Sequence, residues 1–183
     1  MTKEELGQLY PIILKPYSPD WEAYYEKERD FLHSLFSQEL IIEHIGSTAI
    51  IGLFSKPTID ILMQKPESIS DNILINTFVD NGYIHMKEQT KHLMFVKGYT
   101  PTGLEDISYH IHIGPLTQNW LWDRIYFRDY LNQNATLKNE YEELKLVLAK
   151  QYKYDREAYT NSKADFILRV TKDAKILLTG DIK

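Results

Sequence analysis

The sequence predicts an α+β fold, a mixed β-sheet with flanking helices and a helical C-terminal third. Three observations carry this reading. Short Ile-rich runs alternate with amphipathic helical stretches through the first two thirds of the chain, and from Thr117 onward the apolar spacing becomes helical throughout. No repeat, low-complexity tract or linker rich in Pro, Gly or Ser divides the 183 residues, so one domain over 1–183 is expected.

The elements follow in order. Ile12-Ile13-Leu14 reads as an extended start, and Ser18-Pro19-Asp20 places a capping hydroxyl, a first-turn Pro and an acid where a helix begins. Trp21, Tyr24, Tyr25, Phe31, Leu32 and Leu35 then recur at helical spacing, which predicts an amphipathic helix over 18–37. Leu40–Ile45 and Thr58–Met63 read as buried strands, the second with Ile59, Ile61 and Met63 on one face and Thr58, Asp60 and Leu62 on the other. Ser70 can cap a helix carrying Ile73, Leu74, Thr77 and Phe78, which Asn81-Gly82 would stop. Residues 83–86, 92–97 and 107–113 are strand candidates, the last two joined as a hairpin by the turn chemistry of Gly98 to Gly103. Leu137, Tyr141, Leu144, Leu148 and Tyr152 mark one later helix and Phe166, Ile167 and Val170 another. These helices are expected to cover one face or edge of the sheet. Trp120, Trp122, Tyr126 and Tyr130 could stack on a base, but at these spacings they read as core.

Composition narrows the chemistry. There is no Cys, which excludes disulfide frameworks, thiolate zinc sites and Cys nucleophiles. A chain of this size buries roughly 70% of its extended surface and needs no such staple. The N-terminus lacks an apolar leader segment, and the apolar runs fall far short of the roughly 20 residues that cross a bilayer. A cytoplasmic protein without membrane association is therefore expected. With 21 Lys+Arg against 26 Asp+Glu, a net charge of −5 argues against general nucleic-acid binding but leaves room for a local basic pocket.

Motifs for P-loops, dinucleotide folds, zincins, α/β-hydrolases and EF-hands are absent. What remains is dense in one place. Glu43-His44-Ile45-Gly46-Ser47-Thr48-Ala49-Ile50 is followed by Gly52-Leu53 and Lys56-Pro57-Thr58-Ile59-Asp60-Ile61. A strand ending in Gly46-Ser47-Thr48 offers backbone N–H groups and hydroxyls to a phosphate, and serves equally well as a tight turn with a helix cap. Asp60 is a carboxylate within an Ile-rich strand, costly to bury unless it is paired or holds a cation.

These segments resemble the GrpB family, small bacterial proteins with a nucleotidyltransferase-like fold and no established function. The likeness extends over nearly the whole chain. It rests on Lys15-Pro16-Tyr17 with Pro19-Asp20-Trp21, on the 43–61 segments above, on His110-Ile111-His112 and on Phe127-Arg128-Asp129-Tyr130-Leu131. Tyr141 with Leu144-Lys145, then Tyr159, Lys163 and Phe166, are similar to the family's C-terminal helices. Nucleotidyltransferases carry Gly-Ser and, about a dozen residues on, an acid-x-acid pair. Here Gly46-Ser47 is followed by residues 48 to 59 and then Asp60, but the same-face positions beside it are Thr58 and Leu62, so the second acid is missing.

His110 and His112 offer a replacement, since residues two apart in a strand share a face. A metal or phosphate centre of Asp60, His110 and His112 is expected, with His44 or Glu43 nearby. Mg²⁺, Mn²⁺ and Zn²⁺ are the candidate ions, and imidazole with carboxylate suits Zn²⁺, Mn²⁺ or Fe²⁺ better than Mg²⁺. The plainer reading of the pair is a hydrogen-bonded, half-exposed face. Arg124 and Arg128 lie four apart on a predicted helix, and with Lys145 and Lys163 they make a cationic wall feasible; surface charge is the simpler account of each lysine.

The resulting expectation is a metal-dependent nucleotidyltransferase-like protein acting on a nucleotide or a related phosphorylated, anionic small molecule. Asp60 and His44 are its candidate catalytic groups, and Gly46, Ser47, Thr48, Lys56, Arg124, Arg128, Lys145 and Lys163 its candidate phosphate or ligand contacts. A non-catalytic module binding a nucleotide or coenzyme A-type ligand is the alternative, and a metal-dependent phosphohydrolase ranks below both.

Overall fold

The computed structural model describes residues 2–180; Met1 and positions 181–183, the outer ends of the expected 1–183 domain, lie outside the described residues. A short helix α1 (Lys3–Leu9) opens the chain where no helix is predicted. Its signature was present in the sequence: Thr2 accepts a hydrogen bond from the Glu5 N–H while the Glu5 carboxylate accepts one from the Thr2 N–H, a reciprocal capping box. Helix α2 (Asp20–Ser34) starts just after the Ser18-Pro19 signal, with the Asp20 N–H 3.3 Å from the Ser18 hydroxyl, and ends three residues before the expected boundary.

The remaining elements are β1 (Ile42–Ile45), a 3-10 turn over Ser47–Ala49, β2 (Thr58–Gln64), α3 (Asp71–Asp80), β3 (Ile84–His85), β4 (Leu93–Thr100) and β5 (Gly103–Gly114). Five helices close the described chain: α4 (Asn119–Trp122), α5 (Arg124–Gln133), α6 (Ala135–Gln151), α7 (Arg156–Asn161) and α8 (Ala164–Thr179). The strands form one five-stranded sheet in the order β1-β2-β5-β4-β3, in which β2 and β5 are parallel and the other neighbours antiparallel. The β4–β5 hairpin is longer than predicted. Gly98, Tyr99 and Thr100 stay in the strand, and Gly98, at φ +84, sits at a bulge where an added Cβ would lie 2.6 Å from the Ile107 carbonyl oxygen.

The period-2 alternation read in β2 holds. Ile59, Ile61 and Met63, together with Phe95, Ile111 and Ile113, point into a core shared with Trp21 and Leu32 of α2 and Leu74 and Phe78 of α3. The opposite face carries Thr58, Asp60 and Leu62, paired across β5 with Ser108, His110 and His112. The C-terminal helices stand on this second side: Leu121 of α4 packs on Ile45 and Leu62, and Phe127, Leu131, Tyr141 and Val170 of α5, α6 and α8 build a further core with Ile50 and Leu53. The sheet therefore separates an apolar side from a side where polar groups meet helices.

Ile61 has no solvent exposure, and truncating a fully buried Ile removes its transfer energy and leaves a cavity. Ile61→Ala should lower the unfolding free energy by about 2–5 kcal/mol in urea titration. The control Ile73→Ala, on the 58% exposed face of α3, should cost well under 1 kcal/mol by roughly the surface-substitution scale.

Candidate functional site

Parallel pairing of β2 with β5 sets Asp60 opposite His110 and Leu62 opposite His112, so the three titratable side chains share one face. The Asp60 Oδ1 lies 3.3 Å from His110 Nδ1 and 3.9 Å from His112 Nε2. One ligand atom from each residue falls within 4.8 Å of the others, close enough for a common metal ion. Gly46 ends β1 beside this group at φ +74, and a Cβ there would overlap the Asp60 carboxylate. That approach, rather than the turn alone, requires glycine.

Electrostatics fixes the protonation of the trio. Burial by itself would raise the Asp60 carboxyl, but hydrogen bonding to His110 and His112 outweighs it and holds the group far below the usual carboxylate range. Burial pushes both imidazoles down, His112 to about 3 with the Arg124 charge adding to the effect. At neutral pH the group is thus an ionised carboxylate beside two neutral rings, the form in which imidazole coordinates metals. Two nitrogens and one oxygen with room on the fourth side match the donor set of three-ligand catalytic zinc sites and fit the oxygen-seeking Mg²⁺ poorly.

The fourth side is a cavity of about 480 Å³ between the sheet and the C-terminal helices. Gly46 and Ser47 line it from β1 and the 3-10 turn, and Lys56, Arg124, Lys145 and Lys163 line it from the loop before β2 and from the helical third. Asp60 is the one carboxylate in that lining among the described residues. The cations are held by neutral groups. Lys145, 1% exposed, donates to the Phe54 carbonyl, and Lys163 and Lys56 stand over the Tyr159 ring at 4.0 and 5.7 Å. Burial pushes the Lys56 and Lys145 ammonium groups down to about 7 and Lys163 to about 8, with neighbouring cations adding to the shift.

Other expected site residues lie elsewhere. His44 alternates to the α2 side, where it stacks on Tyr25 and its two ring nitrogens meet Glu22 at 3.2 Å and Thr48 at 3.0 Å. It does not reach the Asp60 face, because its strand neighbour Ile45 takes the position opposite Asp60. Thr48 is buried beneath it and donates to the Thr58 carbonyl, so it ties the turn to β2 and does not line the cavity. Arg128 is engaged by Glu43, by Asp129 and by the His44 carbonyl, at 2.6, 2.7 and 2.8 Å. Trp120, read as core, is 47% exposed.

Sequence reasoning passed over His92, Tyr99 and Arg156. His92 Nε2 is 2.8 Å from His112 Nδ1, Tyr99 hydroxyl is 2.8 Å from His110 Nε2, and Arg156 donates to that hydroxyl at 2.8 Å. Nothing local in the sequence pointed to them: the β4–β5 register, with Met94 opposite His112, brings in His92 and Tyr99, and Arg156 arrives from α7.

The fold and this cavity define the class, an α+β protein with a five-stranded mixed sheet and an Asp–His cluster on the sheet face beneath its C-terminal helices. A family model described as GrpB protein matches residues 11–173. A UPF0157 protein of Pseudomonas aeruginosa is 36% identical over 87% of this chain and 66% of its own length. The glutamate-rich protein GrpB of Alkalihalophilus pseudofirmus is 34% identical over 85% of this chain and 91% of its own. The chain belongs to the GrpB family. The crystal structure of conserved protein GrpB from Enterococcus faecalis superposes with a TM-score of 0.77 at 29% identity, covering 88% of this chain and 96% of that one. A GLD-2/RNP-8 complex, with a TM-score of 0.52 at 13% identity over 87% of this chain and 61% of that one, bears on the fold alone. No described helix is long and apolar enough to cross a membrane.

Lys145 supplies a pH prediction. Its folded value of about 7 lies below the ordinary 10.5, so the unfolded chain binds more protons between these values. The stabilisation is complete above the unfolded value and is lost as pH falls through the folded one. Urea midpoints of the ligand-free protein should therefore rise from about pH 7 to about pH 9.5, before buried tyrosines such as Tyr141, pushed up to about 12, reverse the trend. Lys145→Met should flatten that rise.

Proposed function

We propose that this GrpB-family protein binds a divalent transition metal on Asp60, His110 and His112 and uses it to hold a nucleoside triphosphate or related phosphorylated small molecule for metal-dependent nucleotidyl transfer. One observation carries the reading: four cationic side chains and a three-donor cluster face the same cavity, with a single carboxylate to balance them. Buried cations without a counter-charge are costly. A polyphosphate would supply that charge and return the lysines to their ordinary protonation. The Ser47 hydroxyl and the turn backbone after Gly46 lie at the same cavity, where they can meet a terminal phosphate. Catalysis in such a site is positioning and charge stabilisation, so a metal and a fixed cationic wall are the parts it needs.

One observation favours a second reading, a binding module without turnover. The position of the second acid is Leu62, which is fully buried against Ile45 and Leu121, and Thr58 is committed to Ser108 at 2.9 Å. A second metal carboxylate therefore has no place on β2.

Thermal unfolding of the protein against nucleoside triphosphates and coenzyme A, each with and without Zn²⁺ or Mn²⁺, tests both. Ligand at 100 times its Kd should raise Tm by on the order of 5–10 °C. A metal-dependent shift erased by Asp60→Asn, together with release of pyrophosphate on turnover, is the expected outcome. A shift without turnover selects the binding module, and no shift with any phosphorylated ligand sinks both.

A further inference from the structure

The two cluster histidines differ from His44 in how their nitrogens are used. His44 has both ring nitrogens within hydrogen-bond reach of ordinary partners, Glu22 and Thr48. His110 and His112 each aim one nitrogen at Asp60 and have the other held from behind. Tyr99 holds Nε2 of His110 and His92 holds Nδ1 of His112, each at 2.8 Å. Tyr99 stands in β4 and His92 immediately before it, so the β4–β5 pairing places both contacts, and Tyr99 is in turn held by Arg156. His92 itself is buried, and its Nδ1 has no hydrogen-bond partner among the described residues.

We propose that His92 and Tyr99 are positioning residues that present His112 Nε2 and His110 Nδ1 as lone pairs to the metal. This rests on the metal reading above and adds the residues that make it work. A neutral imidazole carries its proton on one nitrogen, so a nitrogen that ligates must leave the proton on the other. Without metal, His110 Nδ1 and His112 Nε2 donate to the Asp60 carboxylate; a metal that took their lone pairs would leave each proton on the rear nitrogen, so that His110 would donate from Nε2 to the Tyr99 oxygen and His112 from Nδ1 to His92 Nε2. His92 must then carry its own proton on Nδ1, the atom with no partner. That unpaired buried polar atom costs stability, and an outer-shell role explains its retention. Partners of this kind fix ring orientation and strengthen the ligand, and their loss costs about 10–100-fold in metal affinity.

The test uses the full chain, with Zn²⁺ titrated calorimetrically and Co²⁺ absorption as a report on ligand geometry. Tyr99→Phe and His92→Leu should each weaken Zn²⁺ binding by about 10–100-fold and alter the Co²⁺ spectrum, and His92→Gln, which keeps an acceptor, should recover part of the loss. In a His112→Ala background His92→Leu should add little, and in a His110→Ala background Tyr99→Phe should add little, because each brace acts only through its own ligand. Unchanged Zn²⁺ affinity in both braced variants, or losses that add in full to those of the ligand variants, overturns the proposal. Should His92→Leu not fold, Tyr99→Phe, which removes one hydroxyl, decides the matter. Wild-type protein that binds neither ion, or binding that Asp60→Ala leaves intact, refutes the metal centre itself and is distinguished from failure of the braces by that control.

Discussion

The Asp60 carboxylate sits in the middle of an Ile-rich strand, and the structure around it is arranged to keep it charged. Its strand neighbours Ile59 and Ile61 face a mainly apolar core, so the charge can be tolerated only if the other sheet face is polar and open. Parallel pairing with β5 supplies His110 and His112, and glycine at position 46 lets β1 end close enough for the turn backbone to join the same cavity. None of these contacts is local in sequence. Each depends on the register between strands, and a slip of one residue would turn the whole set into the apolar core.

The helical third completes the site by closing the polar face without neutralising it. Aromatic rings and a backbone carbonyl, rather than carboxylates, support Lys56, Lys145 and Lys163, so positive charge stays available to an anion. Arg128 shows the contrast on the same helix as Arg124, for it is already paired with Glu43 and Asp129. A buried ammonium group that lacks an anion loses its proton more readily. The cavity is therefore built at a cost to stability that a bound polyanion would offset.

The composition of the cluster bears on what this sheet face could coordinate. Leu62 stands where a second acid would be needed, and two imidazoles on the adjacent strand offer nitrogen donors, a set that, if it held a metal as proposed, would suit Zn²⁺, Mn²⁺ or Fe²⁺ better than Mg²⁺. Apolar packing of Leu62 against Leu121 and Ile45 is one consequence of that exchange, because α4 can dock directly on the strand.

Most of the secondary structure was legible in the sequence, since alternation in 58–63, the Ser70 cap and the later helical spacing are local signals with local physical causes. The helix at Lys3–Leu9 was legible too, in the Thr2–Glu5 pair, though the elements read from the sequence began only at Ile12. By itself the sequence determined the family, the two faces of β2 and the shared face of His110 and His112, because strand period and residue type suffice for these, whereas the meeting of that pair with Asp60 needed the β2–β5 register. Tertiary structure alone decided that His44 and Arg128 are bound up in structural contacts, that Lys145 and Lys163 turn inward, and that His92, Tyr99 and Arg156 stand behind the cluster. Those outcomes depend on which helix face docks and which strand neighbours which, and both are settled by the packing of segments far apart in the chain.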